Sequence, residues 1–243
     1  MTLEPIGDIA TASLSEESAI PDSGVFRLTL DNADTESGTA LDVWNDYDAT
    51  INGATTGVSG ANQTYTTNEA YEFDGTDDYL VRDSASLPDL AAPYSVSAWI
   101  YPNSISEYKD ILVFGQQSNN VTNLRFSVNT DGTIKGKLFD GSTGCGAEST
   151  GTVTFDAWNH VTWVAASADP STFEFYIDGS DGGLNVTVNN TPNFSTVNRY
   201  TVGAYRDPTF RPFDGTIDDP RVYDKDLTST EVSNLYNTGS ISG

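Results

Sequence analysis

Residues 159–179 read NHVTWVAASADPSTFEFYIDG. Two short runs rich in apolar, β-branched and aromatic residues, NHVTWVAAS (159–167) and FEFYIDG (173–179), flank the turn text SADPS (167–171). Such runs are too short for helices and suit a pleated surface, so they predict two strands joined by a connecting turn. The second run ends on Asp178–Gly179, which predicts a tight hairpin turn because both residue types accept positive φ.

The same pattern repeats outward in both directions. VFRLTL (25–30), YSVSAWIYP (94–102), DILVFGQ (110–116), LRFSVN (124–129), TIKGKLFD (133–140), LNVTVNN (184–190), RYTVGAY (199–205) and TIDDPRVY (216–223) are further strand-like runs. In YSVSAWIYP, Val96, Ala98 and Ile100 share one face, and Ser95, Ser97 and Trp99 the other. NTDG (129–132) and FDGSTG (139–144) supply turns between runs. Many short antiparallel strands separated by Gly/Asp/Asn turns predict an all-β protein built as a two-sheet sandwich. One helix is predicted, within LTSTEVSNLYNTG (227–239). Thr228 and Glu231 form a capping box, Val232, Leu235 and Tyr236 make an apolar stripe, and Gly239 ends it. Residues 1–24 have no period and read as a polar arm, leaving 25–243 as one domain.

Charge narrows the partners. Thirty-five acids face 11 bases, for a net charge of -24. Nucleic acid is excluded as an expected partner, because phosphate binding needs clustered Lys and Arg. The surface repels itself in dilute buffer, and molar salt screens that repulsion, so the balance predicts work in strong brine. The one cysteine, Cys145 in GSTGCGAES, reads as a turn residue and allows no internal disulfide. There is no apolar run of about 20 residues for membrane insertion. The opening MTLEPIGDIATASLSEES lacks the basic and apolar regions of a secretory signal.

The chemistry-bearing candidates are few. In FDGTIDDPRVY (213–223), strict alternation puts Asp218 with Val222 at the rim of the core, and Asp219 with Arg221 outside as an exposed ion pair. A buried carboxylate needs a cation or donors, so Asp218 is a candidate ligand of calcium, which takes oxygen donors. Asp219 is a further candidate. So is Asp74 in the echo FDGTDDYL (73–80), where Asp74, Asp77 and Asp78 also read as turn caps. No enzyme is expected. The nearest carboxylate pair, Glu174 and Asp178, lies ~13 Å apart along a strand, against ~5–5.5 Å for a retaining glycosidase pair. His160 has no second histidine for a triad or zinc set and reads as a hydrogen-bonding strand residue. Trp44, Trp99, Trp158, Trp163 and Tyr205 are the aromatic candidates for stacking on sugars. The loop YRDPTFRPFD (205–214) joins Arg206, Arg211 and Phe210, the residue types of contact surfaces. The expected contact set is therefore Trp44, Tyr205, Arg206, Phe210 and Arg211.

Five segments in order carry a resemblance. They are SGTALDVWNDYDATINGA (37–54), AYEFDGTDDYLVR (70–82), YSVSAWIYP, WNHVTWVAASADPSTFEFYIDGS (158–180) and TVGAYRDPTFRPFDGTIDDPRVYDKDLTSTEVSNLY (201–236). Together they resemble the laminin-G-like, concanavalin A-like jelly-roll domains over about residues 25–238. The resemblance implies a jelly-roll sandwich, often with bound calcium held by the first acid of the last strand, here Asp218, and by groups near the N-terminal strand, here Asp31 in LTLDNAD. It also implies that Trp99 and Trp158 pack inside. Members bind glycans or proteins, or act as adhesive and structural modules outside cells and on virus particles. Joined to the charge balance, this gives the leading expectation: a non-enzymatic structural or adhesive protein of a virus particle from a salt-loving host, as capsid decoration, turret or tail-fibre component. Its partners would be other virion proteins, further copies of itself in a homo-oligomer, or host-surface glycans. The alternative is a glycan-binding module of a secreted or cell-surface protein.

Overall fold

The computed structural model describes residues 24–61, 68–83, 87, 92–103, 106–116, 123–192, 197–205 and 210–242. The predicted arm therefore lies outside the described residues except for Gly24, as does Arg206. The first strands are β1 (Phe26–Arg27), β2 (Thr35–Glu36), β3 (Thr39–Ala40), β4 (Ala49–Asn52), β5 (Thr55–Ser59), β6 (Glu69–Asp74) and β7 (Tyr79–Asp83). The central strands follow as β8 (Tyr94–Pro102), β9 (Lys109–Gly115), β10 (Asn123–Val128), β11 (Thr133–Phe139), β12 (Gly144–Thr152) and β13 (Asn159–Ala165). Last come β14 (Phe173–Ile177), β15 (Ser180–Asp181), β16 (Asn185–Val188), β17 (Arg199–Val202), β18 (Asp214–Tyr223) and the helix α1 (Ser229–Thr238).

The strands form two antiparallel sheets. The eight-stranded sheet runs β15-β14-β13-β8-β18-β6-β5, with β1 also paired to β18. The ten-stranded sheet runs β16-β12-β11-β10-β9-β17-β7-β4-β3-β2. Alternation along each strand sends one set of side chains into the space between the sheets. Val96, Ala98, Ile100, Val161, Trp163, Phe175 and Ile217 enter from one side, and Leu80, Leu112, Phe114, Leu124, Phe126, Leu138 and Tyr200 from the other. This is the predicted jelly-roll sandwich with one short C-terminal helix.

Two local devices explain strands the sequence concealed. Trp163, fully buried, crosses to the opposite sheet, where a side-chain carbon on Gly136 would come within 2.3 Å of its ring. A small residue is therefore required under the indole. The neighbouring strand β12, GCGAESTGT, is likewise made of small and polar residues and lacks the apolar alternation of its partners. Cys145 sits on that strand and not in a turn. Its side chain is buried in the core, and its thiol, which burial pushes up to about 11, donates to the Ala168 carbonyl at 3.3 Å. The FDGT echo also resolves: its two copies are antiparallel neighbours, with Asp74 opposite Asp214 and Phe73 opposite Gly215. The Phe73 and Phe213 rings meet edge-on at 6.3 Å.

The helix closes the eight-stranded sheet from outside. Thr228 and Glu231 make both reciprocal capping bonds, and Gly239 ends the helix at φ 72. Val232 and Leu235 are buried in a second small core with Val164, Tyr176, Tyr223 and Leu227. Tyr236 lies 5.5 Å from the Trp99 ring. Ser95, Ser97 and Trp99, on the face of β8 turned away from the main core, are buried as a result. Among the described residues no helix is long and apolar enough to cross a membrane.

Candidate functional site

The paired acids of β18 occupy a break in the strand. Register with β8 shifts between Asp218 and Arg221, so Asp218 faces Trp99 and Arg221 faces Ser97. Asp219 takes φ 51, followed by Pro220, which has no N–H to offer a ladder. Asp218 and Arg221 lie on the outward face of the sheet with Trp99 and Ser97, opposite to core-facing Val222, so Asp218 does not share the core rim with Val222. The bulge leaves Asp219 beside Arg221 on the face that the end of α1 covers. This corrects the expected surface position of Asp219: it is buried, and so is Arg221. The pairing itself is present, and larger than expected. Arg221 donates to Asp219 Oδ2 from both Nε, at 3.0 Å, and a terminal nitrogen, while Arg27 Nε donates to Oδ1 at 2.8 Å. Burial alone would raise the Asp219 carboxyl, but Arg221 and Arg27 outweigh it and hold it below its ordinary range. Both oxygens of Asp219 are thus taken by guanidinium donors.

Asp218 is the opposite case. It is fully buried, and Oδ2 accepts a bond from the Ala61 amide at 3.2 Å, while Oδ1 has no hydrogen-bond partner among the described residues. Burial, then the charges of Asp219 and Asp31, push its carboxyl well above the ordinary range. Asp31 is itself buried, and its backbone carbonyl accepts from Thr35 Oγ1 at 2.8 Å. A buried carboxylate oxygen with no donor, near a second carboxylate, fits a hard cation with oxygen ligands. Asp74 does not join this group. It pairs with Asp214 at the start of β18, so Asp218 lies four residues further on, ~13 Å along the strand. Asp74, Asp77 and Asp78 form their own acidic tip, with ligand atoms within 4.8 Å of one another. There Asp74 Oδ1 caps the Thr76 amide at 2.8 Å and Asp78 Oδ2 accepts from the Asp74 amide at 2.9 Å, as turn residues do.

Tyr205, Phe210 and Arg211 gather against the outward face of the ten-stranded sheet. The Arg211 guanidinium lies 4.1 Å from the Tyr108 ring centre and 4.2 Å from Phe210. Arg125, on β10, lies 4.8 Å from Tyr205 and 5.4 Å from Tyr108. Beneath them Arg125 donates twice to buried Asp110, at 2.8 and 3.0 Å, and Ser127 donates to the same carboxylate at 2.6 Å. The expected contact residues Tyr205, Phe210 and Arg211 are therefore brought together, with Phe210 the exposed member at 46%. Tyr108, Asp110 and Arg125 complete the cluster and carried no motif. The signal available was that Arg125, Lys135 and Lys137 stand at outward alternate positions in a Lys-poor chain.

The remaining candidates have other partners. Trp44 is half-buried against Tyr223, 5.3 Å between rings, beside the second core and far from a sugar platform in character. Trp99 is buried between His160 and Tyr236. Trp158 is half-buried on Tyr101. The His160 amide donates to Asp178, but its ring Nδ1 has no partner, and burial, then Arg221, lowers the imidazole to about 3. Asp178 and Gly179, both at positive φ, make the predicted hairpin turn. Glu174 bonds the Tyr176 hydroxyl. Glu174 lines a cleft of ≈ 410 Å³ with Phe173, Tyr176, Asp181 and Leu184, and Asp178 lies outside it.

Comparison with known proteins agrees with this architecture. Domain 4 of AbnA, an extracellular arabinanase from Geobacillus stearothermophilus solved with arabinotriose, superposes with TM-score 0.63 at 19% identity over 88% of this chain and 98% of that one. A Trypanosoma rangeli sialidase gives 0.63 at 16% identity over 89% of this chain, which spans 33% of the sialidase. A heptameric SAP-like pentraxin from Limulus polyphemus gives 0.54 at 20% identity over 71% of this chain and 83% of that one. At these identities the likeness is one of fold. No curated protein sequence matches the chain. The profile of the concanavalin A-like lectin/glucanases superfamily matches residues 74–233, spanning β6 to α1. The chain belongs to the concanavalin A-like lectin/glucanase superfamily.

Proposed function

We propose that the chain is a non-catalytic glycan-binding module, and that it binds through the outward face of the ten-stranded sheet. The observation that carries this reading is the cluster of Tyr108, Tyr205, Phe210, Arg211 and Arg125. It places aromatic faces and guanidinium groups together, with Phe210 exposed, beside the half-buried outward residues of β11. Aromatic rings supply contact area at low entropic cost, and a stacked guanidinium keeps its in-plane N–H donors for a polar ligand. An arabinanase domain solved in complex with arabinotriose and a sialidase among the fold neighbours support the same reading. The test is a glycan array on the whole chain, followed by Phe210→Ala and Tyr108→Ala. Retained folding with lost binding supports the proposal; binding untouched by both changes overturns the assignment to this face.

A calcium ion held by Asp218 and Asp31 would serve this module structurally, by neutralising two buried carboxylates and tying the segment before β2 to β18. Melting should then rise with calcium and fall with chelator in the parent chain, and do neither in Asp218→Asn. The carrier of the module, a virus particle or a secreted or cell-surface protein, follows from its gene's neighbours: capsid or tail genes support the first, enzyme domains in the same gene the second. The charge of -24 supports work in brine, so stability should increase from dilute buffer to molar salt. Equal stability in both would remove that part of the reading.

A further inference from the structure

The outward face of the ten-stranded sheet holds a charge arrangement that the module alone does not require. Arg125 on β10 lies directly opposite Lys137 on β11. Like charges facing each other across an antiparallel pair are destabilising. Asp110 answers Arg125 from below through its two bonds. Lys135, two residues from Lys137, is answered by Glu148 at 3.7 Å. Lys137 and Arg211 have no carboxylate at ion-pair distance among the described residues; their charged groups rest against rings, Lys137 with Phe139 at 5.8 Å and Arg211 with Tyr108 and Phe210. Around β10 and β11 this face gathers four of the chain's 11 bases, Arg125, Lys135, Lys137 and Arg211, about the carboxylates Asp110 and Glu148, in a molecule whose acids are otherwise in large excess. Burial, then the neighbouring Arg125, Lys135 and Arg211, hold the Lys137 ammonium below its ordinary range. An anion at this place would relieve that crowding.

The chain's overall charge repels anions at long range, so only a local, unanswered concentration of cations holds one. Stacking occupies the π face of Arg211 and leaves its edge donors in plane, the geometry that grips a carboxylate with two parallel bonds. Exposed Phe210 offers a ring beside it.

We propose that this face selects saccharides that carry a carboxylate, of the uronic acid class, with the carboxylate between Lys137 and Arg211 and a sugar ring against Phe210. The inference rests on the glycan-binding reading above and specifies its ligand.

The test is calorimetric titration of the whole chain with an oligogalacturonide, its neutral methyl ester, and a sulfated heparin-derived oligosaccharide of similar length. The acid should bind about tenfold more tightly than the ester, the value of one charge-assisted contact. Lys137→Gln should remove that preference with no fall in melting temperature, and Lys137→Arg should retain most of it. Equal binding of acid and ester overturns the acidic class while leaving glycan binding intact. Tighter binding of the sulfated chain than of the uronide overturns the carboxylate assignment. Unchanged selectivity in Lys137→Gln overturns the site. If neither these probes nor any neutral glycan on an array binds, the underlying glycan reading falls with the inference.

Discussion

The two sheets of this sandwich share a core but treat their outer faces in opposite ways. The eight-stranded sheet is covered over β8, β13 and β18: α1 lays Val232 and Leu235 over it, and Trp99 and His160 are shut beneath Tyr236. Its ionic chemistry is internal, with Asp219 clamped by Arg27 and Arg221. The ten-stranded sheet leaves Lys135, Lys137 and Phe139 half-exposed on β11, and Tyr205 stacks on Arg125. Charge that is satisfied and buried serves the fold; charge that is gathered and unanswered is available to a ligand. The difference is what supports the proposed binding face in a molecule whose two halves look alike in sequence pattern.

Mutations should separate the faces by size of effect. Arg221→Ala leaves Asp219 buried with one guanidinium lost, and should cost about 3–5 kcal/mol in denaturant unfolding. Leu235→Ala, which opens the seal, should cost about 2–5 kcal/mol. His160 is next. Its folded pKa of about 3 lies below the ordinary value near 6.5, so below pH ~6.5 the unfolded chain binds a proton that the folded chain refuses. Stability contributed by neutral His160 is therefore complete above pH ~6.5 and lost as pH falls toward 3, by up to about 1.4 kcal/mol per unit. His160→Phe should flatten that part of the pH–stability curve by one proton. Thr228→Ala removes the cap of α1 and should cost about 1 kcal/mol. Lys135→Ala, on the open sheet, should stay within about 0.5 kcal/mol. A large loss there would mean that the open face is structural after all.

Much of this was legible in the sequence, and the failures have physical causes. Strands with apolar alternation, such as β8, β13 and β14, announce themselves, and the helix was readable from Thr228, Glu231 and Gly239. Strand β12 was hidden because its place beside Gly136 and Trp163 favours small residues. Asp219 was misplaced because the end of α1 covers the outward face that it shares with Arg221, a tertiary contact that alternation does not show. Tyr205, Phe210 and Arg211 were found from composition, being aromatic and basic in an acidic chain. Asp110 and Arg125 were not, since residues 15 apart in sequence meet only through the β9–β10 register.

Hydrogen exchange on the whole chain, with and without saturating oligogalacturonide, tests most directly that the open sheet is the binding face. The account predicts slowed exchange across Lys109–Gly115, Asn123–Val128, Thr133–Phe139 and the backbone following Phe210, with Asn159–Ala165 and Ser229–Thr238 unchanged. Protection centred on Phe173–Ile177 and the helix, with the ten-stranded sheet unaffected, would contradict it.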